Sequence, residues 1–143
     1  MTFTVTTGAL TMTAPATADL WGGAPGTNIS AALGAVVVTD DRALLSATWT
    51  TDASATDWTT GGGTAAETIP AADVGYDPGT ITTTGTVTAT GTPISLSATA
   101  APVVAGTDGV GDNTASWDPN ITVAVPASAV GGAYSGTLTQ SVS

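Results

Sequence analysis

The chain has no cysteine, no histidine and no lysine, and Arg42 is its only basic side chain. Without cysteine there is no disulfide framework and no thiolate chemistry. Without histidine as well, the Ser-His-Asp, zinc and haem arrangements are closed. A single cation cannot neutralise a run of phosphates, which excludes nucleic acid as a partner and disfavours anionic membrane surfaces. Charge of either sign is sparse: eleven acids against one base give −10 at pH 7 from a chain that is 8% charged. Apolar runs are short too. "GAVVV" at 34–38 is strand-sized, far below the ~20 residues of a spanning helix, so no membrane insertion is expected. "TFTVTT" follows Met1 directly, and we expect a secretion leader to have been removed and the protein to be extracellular. General acid–base work would rest on aspartates, Glu67 or two tyrosines, and no spacing marks a carboxylate pair, so the chain reads as no enzyme.

Threonine dominates what is present. It is β-branched, stiff at χ1 and suited to the solvated face of a pleated strand. Alternation with apolar residues recurs along the chain and predicts strands. Phe3 and Val5 share one face of "MTFTVTT", and Leu10 and Met12 one face of "ALTMTAP". Val36 and Val38, Val87 and Ala89, then Ile94, Leu96 and Ala98, and finally Ile121, Val123 and Val125 repeat the pattern. Breakers separate the runs: "WGGAPG" at 21–26, "TGGGT" at 60–64, "YDPGT" at 76–80, "GTDGVGDN" at 106–113 and "DPN" at 118–120. "TNISAALGA" is the one stretch with the character of a helical turn. The expected fold is all-β, one Ig-like or Greek-key β-sandwich of about eight or nine strands spanning 1–143 as a single domain.

Four tryptophans are the largest apolar groups. Most serve a Val/Ile/Leu/Ala core as anchors, each burying about 150–250 Å². Trp21 and Trp58, both beside glycine loops, are placed to stack on sugar rings. Asp108, Asp112 and Asp118 sit near flexible glycines and supply oxygen ligands of the kind calcium takes; against this stands the common use of Asp to bond its own turn backbone. In "TDDR" Asp40 and Arg42 read as a structural ion pair at a strand end.

Three longer stretches, "GALTMTAPATADL", "GAVVVTDDRALLSATWTTDAS" and "ITVAVPASAVGGAYSGTLTQSVS", resemble the WxL-type surface domains of Gram-positive bacteria, and especially their actinobacterial secreted relatives. The family's Val-x-Asp-x-Arg segment and tryptophan strand are matched by Val38, Asp40, Arg42 and Trp49. Its Val-Pro turn, Tyr and closing Leu-Thr-Trp-x-Leu strand are matched by Val125, Pro126, Tyr134, Leu138 and Thr139. The resemblance implies a β-sandwich with a cell-wall association. Two departures bear on wall binding: Thr50 and Thr51 follow Trp49 without the family's leucine, and Gln140 stands where the second motif has tryptophan.

Gln140, the only glutamine, falls on the apolar face of the last strand between Leu138 and Val142. A core-facing amide needs hydrogen-bond partners, since leaving it unpaired costs about 1–3 kcal/mol. Either backbone supplies them or, as in some surface adhesins, the amide condenses with a threonine of the first strand, here Thr2, Thr4, Thr6 or Thr7, to give an ester. The leading functional expectation is a non-catalytic cell-surface structural or adhesive module. The alternatives are a fibre subunit that exchanges terminal strands (Phe3, Val5, Leu10, Met12, Leu138, Gln140, Val142) and a carbohydrate-binding module. Its partner is accordingly either a second copy or a cell-wall polysaccharide, and calcium is the one cofactor considered.

Overall fold

A computed structural model describes residues 1–143. In chain order the strands are β1 (Leu10–Thr13), β2 (Asn28–Ala32), β3 (Val36–Asp40), β4 (Leu45–Ala55), β5 (Trp58–Thr59), β6 (Thr68–Ile69), β7 (Val74–Asp77), β8 (Thr82–Gly91), β9 (Ile94–Ser95), β10 (Ala101–Trp117), β11 (Asn120–Ala124) and β12 (Leu138–Val142). All pairings are antiparallel, and the sheets pack as a β-sandwich.

β10 is the spine of the larger, six-stranded sheet. β8 runs along one side of it, and along the other β4 pairs with its first half and β3 with its second. Residues 36–55 are thus one line of strand interrupted at 41–44. β12 on β4 and β1 on β3 then extend the outer edge of that line in tandem. The facing sheet has the order β2-β11-β7-β9, and β5-β6 forms a small ribbon.

The period of two decides what is buried. Val36, Val38, Trp49, Thr51, Ala53 and Ala55 turn inward from the β3–β4 line, and each large aliphatic side chain so removed from water contributes about 1.5–3 kcal/mol. Gly106 of β10 lies against the Trp49 indole, and a Cβ there would overlap the ring. The long strands are irregular where they lie side by side: Ala43, Ser46 and Asp108 have φ of 53°, 61° and 56°, and Gly85 of β8 has 72°. Four of the register shifts in β10 fall in the same belt, between Gly106 and Thr114, and one more lies nearer its start, between Pro102 and Val104. Such bulges raise local twist, which lets 17 residues follow a curved sheet.

Four readings are corrected. "GTDGVGDN" is no loop but the bulged middle of β10, its glycines relieving strand irregularities rather than making a turn. "NISAA" is β2, because pairing with β11 sets Ile29 opposite Val123 and overrides alanine's helical preference. Ala98 is exposed beyond a strand that stops at Ser95. Residues 2–7 form no strand: the pairing along this edge ends where Gly8 donates its N–H to Asp41 O (2.7 Å), and farther along Arg42 Nη2 donates to the Thr48 carbonyl.

Candidate functional site

The sandwich is open on the side where β12 and β2 form the sheet edges, each with a pairing partner on one flank only. The connection from β1 to β2, residues 14–27, passes across this side as a strap. Beneath it lies a cavity of about 730 Å³. Leu96, Ile121 and Val123 from the facing sheet floor it, and Leu138 and Gln140 reach it from β12. Asp19 is the only charged side chain on its walls.

Trp21 and Trp58, chosen from sequence for their glycine neighbours, line this same cavity from two distant segments. Trp58 opens β5 and is half-buried against the core. Trp21 is 84% exposed on the strap. Its backbone has φ of 64°, a left-handed conformation costing a non-glycine residue about 1–2 kcal/mol, and its N–H donates to Asp19 Oδ1 (2.9 Å). A large apolar ring is therefore held out in water at a conformational cost. Pro15, Gly22, Gly23 and Pro25 on the strap also line the cavity.

Gln140 does face inward, and its partner is a side chain. Trp117 Nε1 donates to Tyr76 Oη (3.0 Å), and Tyr76 Oη donates to Gln140 Oε1 (2.7 Å). An indole nitrogen only donates, so Tyr76 accepts there, and its own proton has Gln140 as its one other partner and goes to the amide oxygen. The amide orientation follows from this network. Tyr76 is buried, and that burial pushes its phenol up to about 12, against the opposing pull of the Trp117 hydrogen bond. This chain ties β10 and β12 of one sheet to β7 of the other. Gln140 Oε1 is thus engaged by Tyr76, while Thr2, Thr4, Thr6 and Thr7 are exposed outside the sheets.

Arg42 grips Asp40 with Nε to Oδ1 and Nη2 to Oδ2, both 2.8 Å, and Nη2 also donates to Thr48 O (2.9 Å). The fork holds the buried Asp40 carboxyl below the usual carboxylate range and raises the guanidinium, against the burial that opposes both charges. Asp108, Asp112 and Asp118 are not brought together. Asp118 Oδ1 accepts the Gly34 N–H (2.9 Å), and no group of three acidic side chains has metal-binding geometry. Leu10, Met12 and Val142 pack against the core, whereas Phe3 (91% exposed) and Val5 (73%) touch nothing comparable.

Sequence reasoning missed Tyr76, whose strand "VGYD" is only four residues long, and it missed Tyr134 as a cavity wall. Alternation of Val74 and Tyr76 was the available signal for the first. Tyr134 is anchored through its hydroxyl to Val130 O (2.8 Å). No family model, no curated protein and no solved structure matches this chain.

Proposed function

We propose that the chain is a non-catalytic, secreted or cell-surface structural module with an adhesive site, and that the site holds an uncharged saccharide of the cell wall between Trp21 and Trp58. The observation carrying this reading is the convergence of those two rings on one cavity, one of them held exposed by a strained backbone. Flat apolar rings at the rim with an almost uncharged lining suit a neutral sugar, whose ring faces are apolar and whose edges hydrogen-bond. Asp19 alone does not make an acid–base pair, and its carboxylate is engaged by the Trp21 amide. The surface address rests on the composition and on the resemblance to WxL-type domains. The test is binding of neutral wall polysaccharides to the folded protein and to Trp21→Ala and Trp58→Ala. Each substitution is expected to weaken binding about tenfold or more, equivalent to ~1.4 kcal/mol. Binding unchanged in both variants would eliminate this platform, and turnover abolished by one carboxylate substitution would make the chain an enzyme.

One further observation favours a second reading, assembly into fibres. Residues 2–7 alternate Thr with Phe3 and Val5, yet pair with nothing in their own chain, and an unpaired strand-forming segment can complete a neighbour's sheet. Deleting residues 2–7 leaves β1 intact and should abolish any filaments seen by light scattering and negative-stain imaging. Filaments that persist would refute this route.

A further inference from the structure

We infer that the cavity recognises the acetamido group of an N-acetylated amino sugar, with the carbonyl oxygen accepting a hydrogen bond from Gln140 Nε2 and the methyl seated on the apolar floor. This inference rests on the saccharide reading and adds to it a substituent and a residue. Its physical basis is the direction of the buried chain. Trp117 only donates and Gln140 is the one other partner of Tyr76 Oη, so the buried phenol proton is satisfied only when Gln140 presents its oxygen. The amide nitrogen is what remains, and it has no partner in the protein, although Gln140 lines the cavity. Gln140 Nε2 is therefore a donor without a protein partner on a residue lining the cavity, whose other lining residues include Leu96, Ile121, Val123 and Leu138. A ligand filling it must bring an acceptor, because an unmet donor in an apolar site costs free energy. It should also bring a small apolar group for the floor. An acetamido group has both, a carbonyl and a methyl on adjacent bonds, whereas a bare hydroxyl at the same ring position supplies an acceptor and leaves the floor unfilled. The two tryptophans take the sugar ring and Gln140 reads its substituent.

The direct test compares two uncharged ligands that differ only at the C2 substituent: a β-1,4-linked trimer of N-acetylglucosamine and the corresponding trimer of glucose. Neither carries charge, so the protein's net charge of −10 cancels from the comparison. Calorimetric titration of the full chain should show the acetamido trimer bound at least about tenfold more tightly. Gln140→Glu keeps an acceptor for Tyr76 and loses the donor; Gln140→Met loses the donor without adding charge. Both should abolish the preference, the acetamido trimer losing more affinity than the glucose trimer. Tyr76→Phe, which frees the amide to turn, should shrink the preference without removing it, marking Tyr76 as a positioning residue. Circular dichroism on each variant identifies any that fails to fold, and either Gln140 variant suffices alone. Equal affinity of the wild-type chain for the two trimers, or a preference surviving in both Gln140 variants, overturns the acetamido assignment and leaves the saccharide site standing. Absence of binding to either trimer, with binding also absent for wall polysaccharides, overturns both.

Discussion

The two ends of the sandwich use the same residue type in opposite ways. At one end Trp49 and Trp117 stack with ring centroids 6.4 Å apart and planes 8° from parallel, sealed by Val36, Val38, Val104 and Ala115. At the other end Trp58 is half-buried and Trp21 is exposed, and between the sheets lies a cavity floored by otherwise buried aliphatics. The difference comes from what each indole meets. Gly106 leaves a slot for Trp49, and Trp117 arrives from the same spine strand to fill the rest. Opposite Trp58 the strap crosses rather than a strand, and β12 and β2 keep open edges. One end is a completed core; the other has the same materials and an unfilled volume. The Trp117–Tyr76–Gln140 chain joins them, anchoring the open end's amide in the closed end's indole.

This contrast can be broken from the closed end first. Trp117→Ala should cost about 3–5 kcal/mol in urea unfolding, since it empties a packed core site and leaves Tyr76 without its donor. Arg42→Met should follow, at about 2–4 kcal/mol near neutral pH, because it strands the buried Asp40 carboxylate. Its sign with pH is fixed. Asp40 has its carboxyl depressed in the fold, so the stabilisation is present above the ordinary carboxylate range and is lost as pH falls below about 4 and through the folded value. The gap between wild type and Arg42→Met should therefore narrow in acid, measured by unfolding at a series of pH values.

Substitutions at the joint and the open end should cost less. Tyr76→Phe should lose about 1–2 kcal/mol by removing one hydroxyl from a two-bond chain. In the wild type the Tyr76 phenol stays neutral until about 12. A raised value means stability is full below the unfolded phenol's ~10 and is lost as pH rises from there, which alkaline titration of phenolate absorbance alongside unfolding will follow. Trp21→Ala should change stability by no more than about 0.5 kcal/mol, a surface value, while reducing ligand binding. A large loss of stability on Trp21→Ala would show the open end to be a core like its counterpart.

Much of this architecture was legible in the alternation of residues. Val36 and Val38 turn inward as their period of two requires, and Ile121 and Val123 do likewise. The sandwich follows from many short runs and turn formers. What escaped was non-local. "GTDGVGDN" carries turn chemistry but is spent on bulges in a continuous strand, a use decided by three neighbouring strands and not by its own residues. Residues 2–7 have strand character without an edge to pair with. For the site, the glycine neighbours of Trp21 and Trp58 singled out two rings that line one cavity, and the parity of the last strand placed Gln140 on the inner face. That both rings and the amide share one cavity depends on a strap and on Tyr76, 64 positions from Gln140, which no local pattern encodes.

The most direct measurement is the set of four indole N–H resonances in a nitrogen-15 correlation spectrum, recorded as the N-acetylglucosamine trimer is added. Assigned by single Trp→Phe substitutions, the Trp21 and Trp58 signals should move on titration while those of Trp49 and Trp117 stay in place. Movement of the buried pair with the outer two unchanged, or no movement of any signal at saturating trimer and polysaccharide, would contradict the account that the open end is the ligand site.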